Sequence, residues 1–541
     1  MSNAILEMRN LRVEAQHDVP LVQDISLTLA RGEVLGLIGE SGAGKSTIGL
    51  AALGYARQGC RISGGEVWLA GVDILTLSSA ERRDLRGRRV AYVAQSAAAA
   101  FNPALTIGRQ VCEGPLRHGL MTRAEVKTWA VTLFRALDLP DAENIGKRYP
   151  HQLSGGQLQR AMVAMAMSCR PDLLVMDEPT TALDVTTQIE VLVMLRKLVR
   201  EFNTAALYIT HDLAVVAQIA DRIMVLRHGR EVETHTTAAI LQHPAQEYTR
   251  RLVAERQSNG APIHDRAGGP SLPLLRIKDL STGYNRQTVV RDVNLTLHRG
   301  QTLAVIGESG SGKSTLARAL VGLLPDTEGQ VIFDGKPLDN RYQRRGKETL
   351  RRLQMIYQLP DVALNPRQTI LELVGRPVAF YFGLSRQQVR HQVLELLRLT
   401  ELSPGLIDRY PGELSGGQKQ RICIARALAA RPDLIICDEA TSSLDPLVAE
   451  EVLNLLRQLQ DQLGLSYLFI THDLGTVKRI AHQVAVMYQG NIVASGATAQ
   501  VFSQPMHAYT ETLLASVPEM RTTWLDDLLG HRTNALMTGA L

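Results

Sequence analysis

One eight-residue loop occurs twice in this chain, and it constrains the fold more than any other feature. Both copies fit the spacing G-x-x-x-x-G-K-S, and both lie between an apolar run and a stretch of helical character. A strand, a glycine turn and a helix start in this order form a phosphate-binding loop, whose backbone N–H groups face an anion. The predicted binding residues are Gly39, Glu40, Ser41, Gly42, Ala43, Gly44, Lys45, Ser46 and Thr47 in the first copy, and Gly307, Glu308, Ser309, Gly310, Ser311, Gly312, Lys313, Ser314 and Thr315 in the second.

Two residue types in each loop have separate predicted tasks. Lys45 and Lys313 would place a positive charge on the outer phosphates, and Ser46 and Ser314 would offer a hydroxyl to Mg²⁺. A single loop of this kind arises by chance in roughly a few per cent of chains this long. A second copy in the same context leaves chance as a poor explanation.

Length and composition restrict the class of protein. At 541 residues the chain is too long for one core, which favours two domains of about 250 residues each. A net charge of +5, spread over this length, does not indicate a nucleic-acid binder. Five cysteines without C-x-x-C spacing indicate neither a disulfide framework nor a zinc site. No signal peptide and no apolar window long enough for a membrane span is visible, so we expect a cytosolic chain without direct membrane insertion.

Further residues recur in the same order, which indicates a tandem duplication. The paired positions are Lys45 and Lys313, Gln95 and Gln358, Ser154 and Ser415, Glu178 and Glu439, and His211 and His472. We therefore predict a first domain at 1–257 and a second at 274–541, joined by a Gly- and Pro-containing linker at 258–273. Each would begin with antiparallel strands and contain a helical insert, at about 97–153 and 359–414, and the second would end in an extension at about 498–541.

A pentapeptide, Leu-Ser-Gly-Gly-Gln, precedes a helical run in each half. Its serine hydroxyl and glycine amides would lie at a helix N-terminus, where they suit an anionic γ-phosphate. The alternative is an ordinary helix cap, which repetition at matched positions makes less attractive. The predicted binding residues are Ser154, Gly155, Gly156, Gln157, Ser415, Gly416, Gly417 and Gln418.

Two acids end an apolar run in each half, and a histidine follows 33 residues after the second acid. Asp177 and Asp438 are placed to bind Mg²⁺, and the next residues, Glu178 and Glu439, to polarise the attacking water as general bases. The histidines, His211 and His472, follow further apolar runs and would sense the γ-phosphate. The alternatives are acids and histidines that simply end strands in solvent.

These motifs together closely resemble the ATP-binding cassette (ABC) family. Walker A, Q-loop glutamine, signature, Walker B, D-loop (Thr181-Ala182-Leu183-Asp184 and Ser442-Ser443-Leu444-Asp445) and switch histidine occur in that order, twice. The resemblance implies an α/β fold: two tandem P-loop ATPase domains, each with an antiparallel β subdomain and a helical subdomain. It also implies that Gln95 and Gln358 contact both the reacting water and the metal, and that ATP and Mg²⁺ are the cofactors.

In that family the halves pack head to tail, so that each ATP lies between them. Carried over, the resemblance implies two composite sites. Site one would combine Lys45, Ser46, Gln95, Asp177, Glu178 and His211 with Ser415, Gly416, Gly417 and Gln418. Site two would combine Lys313, Ser314, Gln358, Asp438, Glu439 and His472 with Ser154, Gly155, Gly156 and Gln157.

A finer resemblance points to the importers of oligopeptides, dipeptides, nickel and glutathione. Each Q-loop continues to an Asn-Pro pair, and each core is followed by a tail like that branch's H-P-x-x-Y-T-x-x-L element, containing Tyr248 or Tyr509. This implies an ATP-hydrolysing subunit on the cytoplasmic face of the inner membrane. Its partners would be two transmembrane permease subunits and, through them, a solute-binding protein, with no nucleic acid involved.

The chain departs from the family pattern at the adenine-binding position. Tyr284 in the second half would stack on adenine, whereas the matching residue in the first half is Ala15. Some members of the branch also have a cysteine cluster for an iron–sulfur centre in the tail. No cysteine follows Cys437, so we predict no cluster.

Two rival functions remain at this stage. A soluble tandem ATPase acting on ribosomes or nucleic acid would be expected to have a long charged linker, coiled coils or zinc modules, none of which is visible. A non-catalytic nucleotide sensor would not need the intact acids. The transported solute cannot be read from this chain.

Overall fold

Each half of the chain begins with a long antiparallel hairpin, as the alternating apolar residues predict. The computed structural model describes residues 4–180, 183–257, 272–284, 287–442 and 444–530. Within them Ala4–Ala15 pairs with Pro20–Ala30, and Pro273–Tyr284 pairs with Gln287–His298. One face of each hairpin is buried, which explains the period of two in its apolar residues.

The chain divides into two compact units. The first contains Met1–Gln257 together with Pro518–Leu541, and the second contains Ser258–Val517. The first unit has a four-stranded sheet in the order β2-β1-β4-β5 and a six-stranded sheet in the order β10-β9-β3-β8-β7-β6. Its strands are β1 (Ala4–Ala15), β2 (Pro20–Ala30), β3 (Val34–Ile38), β4 (Cys60–Leu69), β5 (Val72–Asp73), β6 (Val90–Val93), β7 (Leu173–Asp177), β8 (Ala205–Ile209), β9 (Arg222–Arg227) and β10 (Arg230–Thr236).

Helices surround these sheets, and three of them (α3, α4 and α5) lie in the region predicted as the helical insert. The α-helices of the first unit are α1 (Lys45–Ala51), α2 (Ser79–Leu85), α3 (Ala97–Ala100), α4 (Ile107–Arg117), α5 (Arg123–Ala136), α6 (Gly155–Met167), α7 (Val185–Phe202), α8 (Leu213–Val216), α9 (Thr237–Gln242) and α10 (Glu247–Gln257).

The second unit repeats this architecture, with sheets in the order β12-β11-β14-β15 and β16-β17-β18-β13-β19-β20. Its strands are β11 (Pro273–Tyr284), β12 (Gln287–His298), β13 (Thr302–Ile306), β14 (Thr327–Phe333), β15 (Lys336–Pro337), β16 (Leu353–Ile356), β17 (Leu434–Asp438), β18 (Ser466–Ile470), β19 (Gln483–Tyr488) and β20 (Asn491–Ala497). Its α-helices are α11 (Lys313–Leu320), α12 (Lys347–Arg352), α13 (Pro360–Ala363), α14 (Ile370–Phe382), α15 (Arg386–Leu399), α16 (Gly416–Leu428), α17 (Pro446–Leu463), α18 (Leu474–Ile480), α19 (Thr498–Ser503) and α20 (Ala508–Ala515). These units confirm the expected α/β fold with antiparallel and helical parts.

The large sheet of each unit is parallel in its centre and antiparallel at one edge. In the first unit β3 lies between β8 and β9, and β7 lies between β8 and β6, all parallel. Every residue of β3, β7 and β8 is buried, because helices cover both faces of such a sheet. The carboxyl ends of these strands therefore meet at one edge, where ligands of parallel sheets bind.

The C-terminal segment differs from the predicted domain division, because the structure assigns Pro518 and the residues after it to the first unit. The buried carboxamide of Gln218 donates to the Glu519 and Arg521 carbonyl oxygens at 2.9 and 3.2 Å, and accepts from the Leu525 amide at 3.3 Å. Leu525 is itself fully buried. The counterpart of Gln218 in the second half is Arg479, which cannot accept a hydrogen bond.

The predicted linker between the two halves can be compared with the structure only at its C-terminal end. Most of the predicted linker, residues 258–271, lies outside the described residues, and Pro273 already belongs to β11.

None of the helices in the described part of the chain is long and apolar enough to span a membrane.

Candidate nucleotide-binding sites

The sheet topology brings the predicted loop, acids and histidine of each unit together. The phosphate loop follows β3, the acids end β7 and the histidine follows β8, and these three strands are neighbours. The second unit repeats the arrangement at β13, β17 and β18. Residues far apart in sequence thus share one edge of a sheet.

The first glycine of each loop has a backbone conformation and surroundings that exclude a side chain. Gly39 and Gly307 both have φ of 152°. A Cβ atom would lie 2.2 Å from the Leu226 carbonyl oxygen in the first unit and 2.1 Å from the Met487 carbonyl oxygen in the second. Because these obstacles are backbone atoms, they cannot rotate away, and only glycine fits.

The loop lysines are buried and bind the loop itself. Lys45 Nζ donates to the Gly39 and Glu40 carbonyl oxygens at 2.6 and 2.9 Å. Lys313 Nζ donates to the equivalent carbonyl oxygens at 2.8 and 2.7 Å. Carbonyl dipoles compensate a buried ammonium only in part, so a phosphate oxygen would be a strong competing partner.

A serine hydroxyl and an aspartate carboxylate face each other beside each loop. Ser46 Oγ donates to Asp177 Oδ1 at 2.9 Å, and Ser314 Oγ donates to Asp438 Oδ1 at 2.9 Å. Burial raises the pKa of Asp438, which a divalent cation would counteract. No group of three or more metal-ligating side chains occurs among the described residues. This donor set fits Mg²⁺, which binds one or two protein oxygens and takes phosphate and water oxygens for the rest.

Each predicted general base is bound by the two other predicted catalytic groups of its unit. Gln95 Nε2 donates to Glu178 Oε2 at 2.9 Å, and His211 Nδ1 lies 3.0 Å from Glu178 Oε1. In the second unit Gln358 Nε2 donates to Glu439 Oε2 at 2.7 Å, and His472 Nδ1 lies 3.3 Å from Glu439 Oε1. The roles assigned to these side chains stay predictions.

The backbone and the electrostatics of the glutamates are both unusual. Glu178 and Glu439 have φ of 49°, a left-handed conformation that is uncommon for non-glycine residues. Burial acts to raise the pKa of Glu439, but the hydrogen bond and charge of His472, the charge of Lys313 and a hydrogen bond with Ser442 together outweigh it, so that the pKa is lowered. The hydrogen bond that His472 donates to the Glu439 carboxylate in turn raises the pKa of His472. Glu439 thus favours its ionised form and lies next to a histidine that favours its charged form.

The signature serines begin helices through reciprocal hydrogen bonds. Ser154 accepts from the Gln157 amide at 3.3 Å, and Gln157 Oε1 accepts from the Ser154 amide at 3.1 Å. Ser415 and Gln418 form the same capping box at the start of α16. Each serine therefore caps its helix, a geometry that the predicted phosphate contact and the ordinary helix cap have in common. Part of each D-loop, Thr181, Ala182 and Ser443, lies outside the described residues.

The two signature glycines of each unit have different surroundings, which gives a matched test. A Cβ on Gly417 would lie 2.5 Å from Val448 Cγ1, whereas a Cβ on Gly416 would come no nearer than 3.9 Å to Leu444. We expect Gly417→Ala to lower the thermal unfolding midpoint by about 3–10 °C through overpacking. Gly416→Ala is the control and should leave the midpoint unchanged or slightly raised. Equal losses in both variants, measured by calorimetry, would contradict this interpretation of the packing.

The sequence analysis missed Tyr92, which binds the site-one aspartate. Its hydroxyl donates to Asp177 Oδ2 at 2.6 Å, so that Asp177 accepts from two side chains. Burial and this hydrogen bond raise the pKa of the Tyr92 phenol. The matching residue of the second half is Met355, so a comparison of the two repeats could have revealed the difference.

The predicted adenine-binding position has different surroundings in the two units. Tyr284 ends β11, is 40% exposed, and its hydroxyl accepts a hydrogen bond from Arg318 Nη1 at 3.1 Å. Ala15 ends β1, where Arg61 instead pairs with Asp18 at 2.7 Å in a longer turn. An aromatic surface for a base is therefore present in the second unit at this position and missing in the first.

Two phosphate loops, each beside an aspartate, a glutamate and a histidine, define the class: a P-loop ATPase with two nucleotide-binding units. Residues 22–181 and 290–442 match the model of the family described as ABC transporter, and residues 493–538 match that of the oligopeptide/dipeptide transporter C-terminal region. The chain belongs to the ABC transporter family and is an ATPase that binds ATP.

Two relatives are similar over almost the whole chain, and a solved structure is similar over less than half of it. The glutathione import ATP-binding protein GsiA of Shigella boydii serotype 4 (strain Sb227) is 39% identical over 557 residues, which cover 95% of this chain and 89% of that protein. The protein of the same name from Escherichia coli (strain K12) is 39% identical over 561 residues, with the same coverage. A solved structure of cbiO1 from Clostridium perfringens is 31% identical and covers 43% of this chain and 91% of its own, with a TM-score of 0.39.

Proposed function

We propose that this protein is the energy-coupling ATPase subunit of an importer for peptides or related small solutes such as glutathione. The observation that carries the proposal is the tail element present in both halves, whose second copy lies in the segment matched to the oligopeptide/dipeptide transporter C-terminal region. The relatives whose alignments cover 95% of this chain are named for glutathione import, which supports the same solute class.

Hydrolysis would use the side chains that each unit brings together. The loop amides and Lys45 or Lys313 would bind the phosphates, and Glu178 or Glu439 would accept a proton from the attacking water. The neighbouring histidine would orient that glutamate. Mg²⁺, bound through Ser46 and Asp177 or Ser314 and Asp438, would neutralise charge on the phosphates. These residue roles are part of the proposal.

Coupling to transport would require the two halves to close on ATP and reopen after hydrolysis. By resemblance to the family, the signature of each half would complete the site of the other, and the helical inserts would contact two permease subunits at the cytoplasmic face of the inner membrane. An ATP-bound structure in which each nucleotide contacts one half alone would contradict the composite sites.

The experiment that tests the proposal is purification of the tagged chain from its own cells. We expect it to sediment with membranes and to co-purify with two polytopic subunits. In proteoliposomes, those subunits and a solute-binding protein loaded with dipeptide or glutathione should stimulate its ATPase activity. Sedimentation with ribosomes, without membrane subunits, would favour the rival function in translation.

The asymmetry at the adenine position gives a further prediction. We expect Tyr284→Ala to weaken ATP binding at the second site by about tenfold, because stacking on an aromatic ring is worth about 1–3 kcal/mol per base. Binding is measured by calorimetry in a Lys45→Met background, which leaves the second site as the main one. Ala15→Tyr is the matched reverse change and should strengthen the first site. An unchanged affinity for Tyr284→Ala would show that this ring does not bind the base.

A further inference from the structure

A tyrosine of the C-terminal tail binds the phosphate loop of the second unit. Tyr509 lies in the first turn of α20, and its hydroxyl accepts a hydrogen bond from the Glu308 amide at 2.9 Å. Glu308 is the second residue of the loop, 201 residues before Tyr509. The tail element that characterises this branch thus reaches the nucleotide site of its own unit.

We propose that Tyr509 is a positioning residue for ATP binding at the second site. The Glu308 N–H and the Gly307 C=O belong to the same peptide group. Tyr509 binds its N–H end, and Lys313 Nζ binds its C=O end at 2.8 Å. This peptide group is planar and rigid, so that together the two side chains fix the direction of the loop at its start.

The two contacts differ in what happens when ATP binds. The ammonium of Lys313 is expected to turn to a phosphate oxygen, which is a stronger acceptor than a carbonyl oxygen. The Gly307 carbonyl oxygen then loses this donor, and Tyr509 remains on the other end of the peptide group. The hydroxyl of Tyr509 therefore contributes more to the ATP-bound loop than to the free loop.

Tyr509 is itself held by its neighbours, as a positioning residue must be. Its ring lies against that of Tyr488, with centroids 4.2 Å apart, and its amide donates to His507 Nδ1 at 3.1 Å. Thr510 and Leu513 of the same helix are buried. The hydroxyl thus has a fixed place beside the loop.

The first half supplies a natural comparison. Tyr248 occupies the matching position, with its ring 4.8 Å from the Arg227 guanidinium. Burial and the nearby Glu40 carboxylate raise the pKa of its phenol. Its hydroxyl lies close to the side chain and the backbone of Glu40, the second residue of the first loop, but it does not reach the hydrogen-bond geometry that Tyr509 has with Glu308. We therefore expect removal of this hydroxyl to cost less ATP affinity than removal of the Tyr509 hydroxyl.

The test compares the same small deletion in the two halves. Tyr509→Phe is measured in a Lys45→Met background and Tyr248→Phe in a Lys313→Met background, with ATP and a non-hydrolysable ATP analogue as probes. We expect Tyr509→Phe to raise the Kd and KM for ATP about threefold to tenfold, the effect of one hydrogen bond. The kcat at saturating ATP should stay within about twofold, because the contact is made equally in the ground and transition states. Tyr248→Phe should change the Kd by less than about twofold.

Several results would overturn the proposal. One is a Kd for Tyr509→Phe within about twofold of its background, and another is an equal shift for Tyr248→Phe. A loss in kcat with an unchanged KM would also contradict a role in binding. The thermal midpoint separates positioning from folding: a fall of several degrees in Tyr509→Phe, with parallel losses in KM and kcat, would assign Tyr509 to stability instead. The outcome concerns ATP binding alone, so it does not depend on whether the proposed import function is correct.

Discussion

Replacement of both Glu178 and Glu439 by glutamine is expected to reduce ATP turnover by about a hundredfold or more. Glutamine has almost the same shape as glutamate but cannot accept the proton of the attacking water, and general-base catalysis contributes about 10²–10⁴ to such rates. Gln95 and His211 lie 2.9 and 3.0 Å from the Glu178 carboxylate and should still contact the amide. The measurement is phosphate release at saturating ATP.

Single variants and a surface control sharpen this result. Either Glu178→Gln or Glu439→Gln alone should cut turnover strongly, because both units have the complete set of groups. A single variant that hydrolyses at nearly the wild-type rate would contradict two active sites. Glu201→Gln removes the charge of an exposed glutamate of α7, which pairs only with Lys197 at 3.8 Å among the ion pairs described, and should leave turnover unchanged. ATP should still bind to the double variant, which separates lost chemistry from lost binding.

Replacement of both loop lysines by methionine is the second large effect that we expect. Lys45 and Lys313 are 6% and 5% exposed. The unbranched side chain of methionine can occupy most of the buried space that each lysine fills. Without the ammonium the phosphates lose charge-assisted hydrogen bonds worth about 1.5–3 kcal/mol each. Two such bonds at each site correspond to a fall in ATP affinity of about a hundredfold or more.

The matched control for this change is Lys197→Met. Lys197 lies in the first unit, as Lys45 does, but its side chain is exposed and pairs with Glu201 on the surface of α7. Equilibrium binding of ATP should be unchanged in this control and nearly lost in the double loop variant. Retained binding in Lys45→Met with Lys313→Met would show that the backbone amides alone bind the phosphates.

Local sequence patterns were sufficient for much of the fold and of the site. The phosphate loop is a local structure, since the glycine at Gly39 and the helix that begins at Lys45 fix the backbone over a few residues. Apolar runs of five residues predicted the buried parallel strands, and the acids and histidines at their ends then had to share one edge of the sheet. The duplication supplied the comparison that made each motif convincing.

Other features depend on packing between distant segments, which no local pattern encodes. The sequence pattern around Tyr92 indicates only a strand residue of the core. The pairing of β6 with β7 is what brings its hydroxyl to Asp177. By their position in the sequence, Pro518 and the residues after it were predicted to end the second domain. In the structure they belong to the first unit, where the carboxamide of Gln218 donates to the Glu519 carbonyl oxygen.

The sequence alone therefore determined the class of protein and the duplicated architecture, and it placed the predicted site residues at one edge of each sheet, because those properties follow from short-range backbone geometry and strand order. Only the tertiary structure decided which side chains support these groups. Tyr509 and Glu308 are 201 residues apart, and their hydrogen bond exists because α20 packs beside the loop. Burial makes such contacts specific, since a buried polar group must find a partner wherever the fold provides one.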